Sequence, residues 1–165
     1  MKKIKGKKFS YSIEKRLLPN GKITTIDVIW HPGAVLIVPF VNKNSVIFLR
    51  QYRAVLEKYL YEFPAGTLDP KEKLLTCAKR ELAEETGFAA RRWRKLGKIY
   101  PVPGYSTEVI HIYQAEDLFE RQADKDVDEI IETCTFSKHE IREMFHLGQI
   151  LDAKTICALA LCGWI

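Results

Sequence analysis

A mixed-sheet α/β domain sandwiched between helices is the fold class predicted by this chain, and three observations lead to it. Many short apolar, β-branched runs are interspersed with a few helical stretches. Two of those runs, Ala34 to Val41 and Ser45 to Tyr52, are almost continuously hydrophobic, as strands covered on both faces are. No repeat, low-complexity segment or Pro/Ser linker divides the 165 residues, so residues 1–165 read as one domain. At this length the chain buries a core without staples.

The elements follow in order. Phe9 to Leu18 and Ile23 to Trp30 are strand-like and flank Pro19-Asn20-Gly21, so residues 9–30 form an N-terminal β-hairpin. Asn42-Lys43-Asn44 joins the two apolar strands as a second hairpin. Pro70 to Thr86 is the first helix, with proline suited to its first turn and Gly87 to its end. Strands are expected again at Arg94 to Tyr100, Glu108 to Ala115 and Ile130 to Phe136. Ser137 with Glu140 makes a capping box for the next helix, and Leu147-Gly148 is its stop. Asp152 caps the last helix, whose Ile156, Leu159 and Ala160 form an apolar stripe.

The formal net charge is +5, from 26 basic and 21 acidic residues. Five lysines (Lys2, Lys3, Lys5, Lys7 and Lys8) lie in the first eight residues, and without them the two signs balance. The basicity belongs to a tail over residues 1–8, read as a solvated terminus in preference to an RNA or phospholipid contact. No nucleic-acid or membrane partner is therefore expected. No apolar run approaches the roughly 20 residues of a membrane span, and the lysine-rich start leads into no signal-like apolar stretch, so the expected location is the cytoplasm. Cys77, Cys134, Cys157 and Cys162 show no CxxC spacing and read as small hydrophobes.

The first helix departs from ordinary patterning. At about 100° per residue, Leu74, Leu75, Ala78 and Leu82 form its core-facing side. Glu85 falls among them, Glu81 lies at their edge, and Glu84 sits beside both. Like charges four apart repel, and carboxylates against an apolar stripe lose hydration. A solvated acidic edge paired with Lys79 and Arg80 would be the bland arrangement, but these carboxylates lie on the wrong side for it. A divalent cation resolves the conflict, since Mg²⁺ takes oxygen ligands and keeps several waters. Arg80 is placed to orient Glu84 or Glu72.

Gly66, Glu72, Arg80, Glu81, Leu82, Glu84, Glu85, Gly87 and Phe88 match the Nudix box, Gx5Ex7REUxEExGU, at every specified position. Seven fixed identities arise by chance on the order of once in a hundred million starting positions. The chain therefore resembles the Nudix hydrolases. Arg50-Gln51-Tyr52-Arg53, Glu62-Phe63-Pro64-Ala65-Gly66 and Pro103, 16 residues after Gly87, resemble the ADP-ribose and nucleotide-sugar pyrophosphatase branch. Val102 replaces the serine usual before that proline.

This resemblance implies a Nudix-type α/β/α sandwich. It also implies Mg²⁺-dependent hydrolysis, with Mn²⁺ as substitute, of a nucleoside diphosphate linked to a second moiety. The Ala65 carbonyl, Glu81, Glu84 and Glu85 would hold the metal. Glu84, Glu85, Arg80 and an acid of the 126–132 segment would serve catalysis, with Glu129 favoured over Asp128 as base. Arg50, Arg53, Glu62, Pro103 and Glu108 would bind substrate. Trp30 would either stack on adenine or fill the core. A homodimer with an exchanged N-terminal hairpin is implied as well. Another sugar nucleotide as substrate, or a catalytically silent module, are the competing functions.

Overall fold

A computed structural model describes residues 3–123 and 129–165. Three strands, β1 (Ile4–Lys5), β2 (Ser10–Leu17) and β3 (Ile23–Trp30), form an antiparallel N-terminal sheet. Its hairpin closes as expected: Gly21 adopts φ +78°, and the Asn20 side chain accepts from the Lys22 N–H at 3.1 Å. The far end of β3 is tied to the loop before the ninth strand, where the Ile29 N–H donates to the Tyr105 carbonyl at 2.7 Å.

The main sheet has seven strands. These are β4 (Ala34–Asn42), β5 (Ser45–Arg53), β6 (Lys58–Glu62), β7 (Ala65–Thr67), β8 (Phe88–Ile99), β9 (Ile110–Glu120) and β10 (Ile131–Ser137). The order is β10-β5-β4-β9-β8, with β6 beside β5 and β7 beside β4. Only β4 and β9 run parallel, which makes the sheet mixed.

Alternation along β4 explains the layers. Leu36 and Val38 face a core completed by Ile141 and Met144 of α2 (Lys138–His146) and Ala158 and Leu159 of α3 (Ala153–Leu161). Val35 and Ile37 face the opposite side, against Cys77, Ala78 and Leu82 of α1 (Leu74–Thr86). Helices thus cover both faces, and the chain is an α/β/α sandwich as predicted. The α2 capping box and the Asp152 cap of α3 are both formed. Among the described residues, no helix is long and apolar enough to cross a membrane.

Four local expectations need correction. Helix α1 begins at Leu74, not Pro70. Lys71 takes φ +67°, and the Glu72 N–H turns back onto the Asp69 carbonyl, so residues 70–73 are turn. Leu75 points outward at 38% exposure, and Ala160 is also exposed, so neither joins the core. Strand β8 starts six residues early, at Phe88, because Phe88–Ala90 pair with Leu118–Glu120. Strands β6 and β7 were not expected; both are short, and pairing with β5 and β4 makes them strands.

Candidate active site

Pairing of β7 with β4 sets Leu36 opposite Ala65 and Val35 opposite Gly66, beside the last turns of α1. There the helix presents Glu81, Glu84 and Glu85, close to its own negative end, where carboxylates are disfavoured by the macrodipole. Glu85 is only 6% exposed. Its Oε2 accepts from the Ala65 N–H at 2.9 Å. Burial, then the neighbouring Glu81 charge, push its carboxyl well above the usual range, with the Glu129 charge adding and Arg53 opposing. Glu81 is raised by burial too, with Arg80 opposing and Glu84 and Glu129 adding.

Gly66 makes room for this cluster. A Cβ there would stand 1.8 Å from Glu81 Oε1, so no other residue at position 66 leaves the carboxylate where it is. Arg80 then ties the acids together. Its Nε and Nη2 hold both oxygens of Glu72, at 3.0 Å each, while Nη1 reaches Glu81 at 2.7 Å and Glu84 at 2.9 Å. The fork brings the Glu72 carboxyl down to about 2. Arg80 thus engages Glu72 and Glu84 together, where the spacing left either as its partner. Among the described residues, no three acidic, His or Cys side chains converge closely enough to enclose an ion, since Glu81 and Glu84 turn toward Arg80.

These groups open into a cleft of about 670 Å³. Ala65, Glu81, Glu84, Glu85 and Glu129 line it, together with Arg53, Glu108 and Lys154. Asp128, the alternative to Glu129 as base, lies outside the described residues.

The other substrate-binding candidates do not line this cleft. Arg50 and Arg53 are three apart on β5 and so project from opposite faces. Arg53 enters the cleft, whereas Arg50 stacks on Tyr59, 3.9 Å from the ring centre, and bonds Glu132 at 3.0 Å. Glu62 sits behind the wall at 1% exposure. It receives two hydrogen bonds from Arg53, at 2.7 and 2.5 Å, and one from Lys154. Pro103 lies exposed in the turn after β8. Trp30 faces a separate hollow, its indole N–H donating to Ser12 Oγ at 2.9 Å.

Residues 30–159 match the NUDIX domain profile. The chain belongs to the NUDIX family. Over 156 residues it is 33% identical to the ADP-ribose pyrophosphatase of Bacillus subtilis (strain 168), covering 93% of this chain and 84% of that protein. The same figures hold for a methanol dehydrogenase activator of Bacillus methanolicus. A crystal structure of an ADP compounds hydrolase superposes with a TM-score of 0.83 at 27% identity, covering 96% of this chain and 86% of that one. The fold of this NUDIX chain thus matches a solved one over nearly its whole length.

Lys154 of this NUDIX protein also lines the cleft, a place that no sequence motif gave it. It lies in the first turn of α3, where the macrodipole disfavours a cation. That misplaced charge was the available signal. Its partners, Glu62 and Asp152, explain it.

Proposed function

We propose that the protein hydrolyses the pyrophosphate bond of ADP-ribose or a related nucleoside diphosphate sugar, releasing a nucleoside monophosphate and a sugar phosphate. The observation that carries this reading is the pair Glu81 and Glu85: two carboxylates raised above the usual range chiefly by burial, Glu81 fitted against Gly66 and both lining one cleft. Such a hard-oxygen donor set fits Mg²⁺ or Mn²⁺, and the Ala65 carbonyl, Glu81, Glu84 and Glu85 would hold the ion. A divalent cation bound there neutralises phosphate charge and lowers the pKa of a coordinated water.

The chain's own residues then divide the work. Glu129 accepts a proton from the attacking water as its oxygen bonds to phosphorus. The bond to the bridging oxygen breaks, and the electron pair leaves with the departing phosphate. Arg80 positions Glu81 and Glu84. Arg53, braced by Glu62, faces the cleft and steadies phosphate charge. The protein acts as a homodimer joined through its N-terminal sheet, a reading supported by Leu17 and Ile23, a cross-strand pair 72% and 70% exposed. Monomers at micromolar concentration in light scattering would remove that part.

A panel of ADP-ribose, ADP-glucose, GDP-mannose, NADH, diadenosine polyphosphates and 8-oxo-dGTP, with and without Mg²⁺, tests the activity. AMP and ribose 5-phosphate are expected from ADP-ribose, only with the metal. Turnover of no sugar nucleotide would refute the proposal.

A further inference from the structure

The lysine-rich start of the chain does not hang free of the fold. Strand β1 pairs with β2 through Ile4↔Tyr11 and Lys5↔Ser10, and Lys3 Nζ lies 5.3 Å above the Trp30 ring. Between the two strands the Gly6 N–H donates to the Phe9 carbonyl at 2.8 Å, closing a tight turn. That turn sets Lys7 and Lys8 in the lining of the same cleft as Glu81, Glu85 and Glu129.

Charge accounting gives this placement a use. Three further cations line the cleft, and carboxylates already engage each one. Arg53 is forked onto Glu62, Lys154 bonds Glu62 and Asp152, and Arg80 is shared by Glu72, Glu81 and Glu84. A nucleoside diphosphate sugar brings two more negative charges into a cavity that also holds Glu81, Glu84, Glu85 and Glu129. Lys8, by contrast, makes no hydrogen bond or ion pair among the described residues. Without the five tail lysines, the rest of the chain is charge-balanced.

We propose that the N-terminal turn is part of the substrate site, with Lys8, and Lys7 beside it, supplying cationic charge to the phosphates of the nucleotide. The proposal rests on the pyrophosphatase reading and adds to it a binding element drawn from outside the Nudix box. A lysine at the mouth of a cleft acts on a phosphate through partly screened attraction. It therefore contributes to affinity and association more than to the chemical step.

The test compares the full-length protein with Lys8→Gln and with Lys7→Gln/Lys8→Gln. Lys22→Gln, in the hairpin turn outside the cleft, is the charge-matched control. Kd for ADP-ribose is measured by calorimetry in EDTA, and KM and kcat with Mg²⁺, each at low and high salt, with thermal melts to establish folding. Lys8→Gln is expected to weaken Kd and raise KM roughly three- to ten-fold, with kcat changing less. The double variant should lose more and show a flatter salt dependence, and Lys8→Arg should restore binding. Wild-type affinity in the folded Lys8 variants, or an equal loss in Lys22→Gln, would overturn the inference while leaving the hydrolase reading intact. Failure of the wild type to bind or cleave any sugar nucleotide would overturn the hydrolase reading, and this inference with it.

Discussion

Replacing Glu85 with Gln separates what the helix costs from what it does. The substitution keeps shape and leaves an amide oxygen to accept from the Ala65 N–H, but removes the charge. That charge is 6% exposed and sits beside Glu81, with Glu129 also near and Arg53 as partial compensation. Removing it should stabilise the metal-free protein by about 1–2 kcal/mol. At this chain length that is a rise in Tm of about 2–8 °C. The pH dependence follows from the sign of the shift. A carboxyl raised on folding causes no loss of stability below its unfolded pKa of about 4.3; the penalty grows as pH rises toward the folded value and stays beyond it. The gain of Glu85→Gln should therefore be present at neutral pH and vanish near pH 4. Mg²⁺ should raise the Tm of the wild type more than that of the variant. Turnover of ADP-ribose should be abolished. Scanning calorimetry with and without EDTA, alongside a phosphate-release assay, reads all of this. A variant less stable than wild type at neutral pH without metal, or one that still turns over, would refute the reasoning.

Three further outcomes are expected. Gly66→Ala should cost at least about ten-fold in kcat/KM while shifting Tm little, because the new methyl displaces the mobile end of Glu81 and not the backbone; wild-type kinetics would contradict this. Lys154→Met leaves the buried Glu62 with Arg53 as its remaining charge partner and should lower stability by about 1–3 kcal/mol in denaturant unfolding. An unchanged midpoint would show that Arg53 alone suffices. Glu72→Gln should lower Tm at neutral pH, where the wild-type carboxylate is ionised against Arg80. Since that carboxyl falls to about 2 on folding, the difference should fade as pH drops from about 4 toward 2, and a difference that persists would place the effect elsewhere.

Local physics made much of the fold legible. The Asn20-Gly21 turn, the Ser137–Glu140 capping box, the Asp152 cap and the Gly87 stop each depend on residues within a few positions, and all formed. The doubly covered strands were readable because burial on both faces leaves no polar alternation along β4 and β5. The start of α1 was not readable. Pro70 suits a helix start, but Glu72 is held by Arg80, eight residues later, and stays in the turn. Leu75 was assigned inward by the same wheel that placed Leu82 correctly, because a wheel gives relative angles and not where the sheet lies.

Sequence by itself determined which acidic residues gather: a spacing of three and four along one helix must bring Glu81, Glu84 and Glu85 together, whatever surrounds them. Tertiary structure decided what those residues meet. The fit of Glu81 against Gly66, the entry of Arg53 and not Arg50, and the arrival of Lys154 and Lys8 at one cleft all depend on strand pairing between distant segments. Helical periodicity is a property of neighbours along the chain, whereas a cleft is made by contacts that close long loops, and no local pattern records which loops those are.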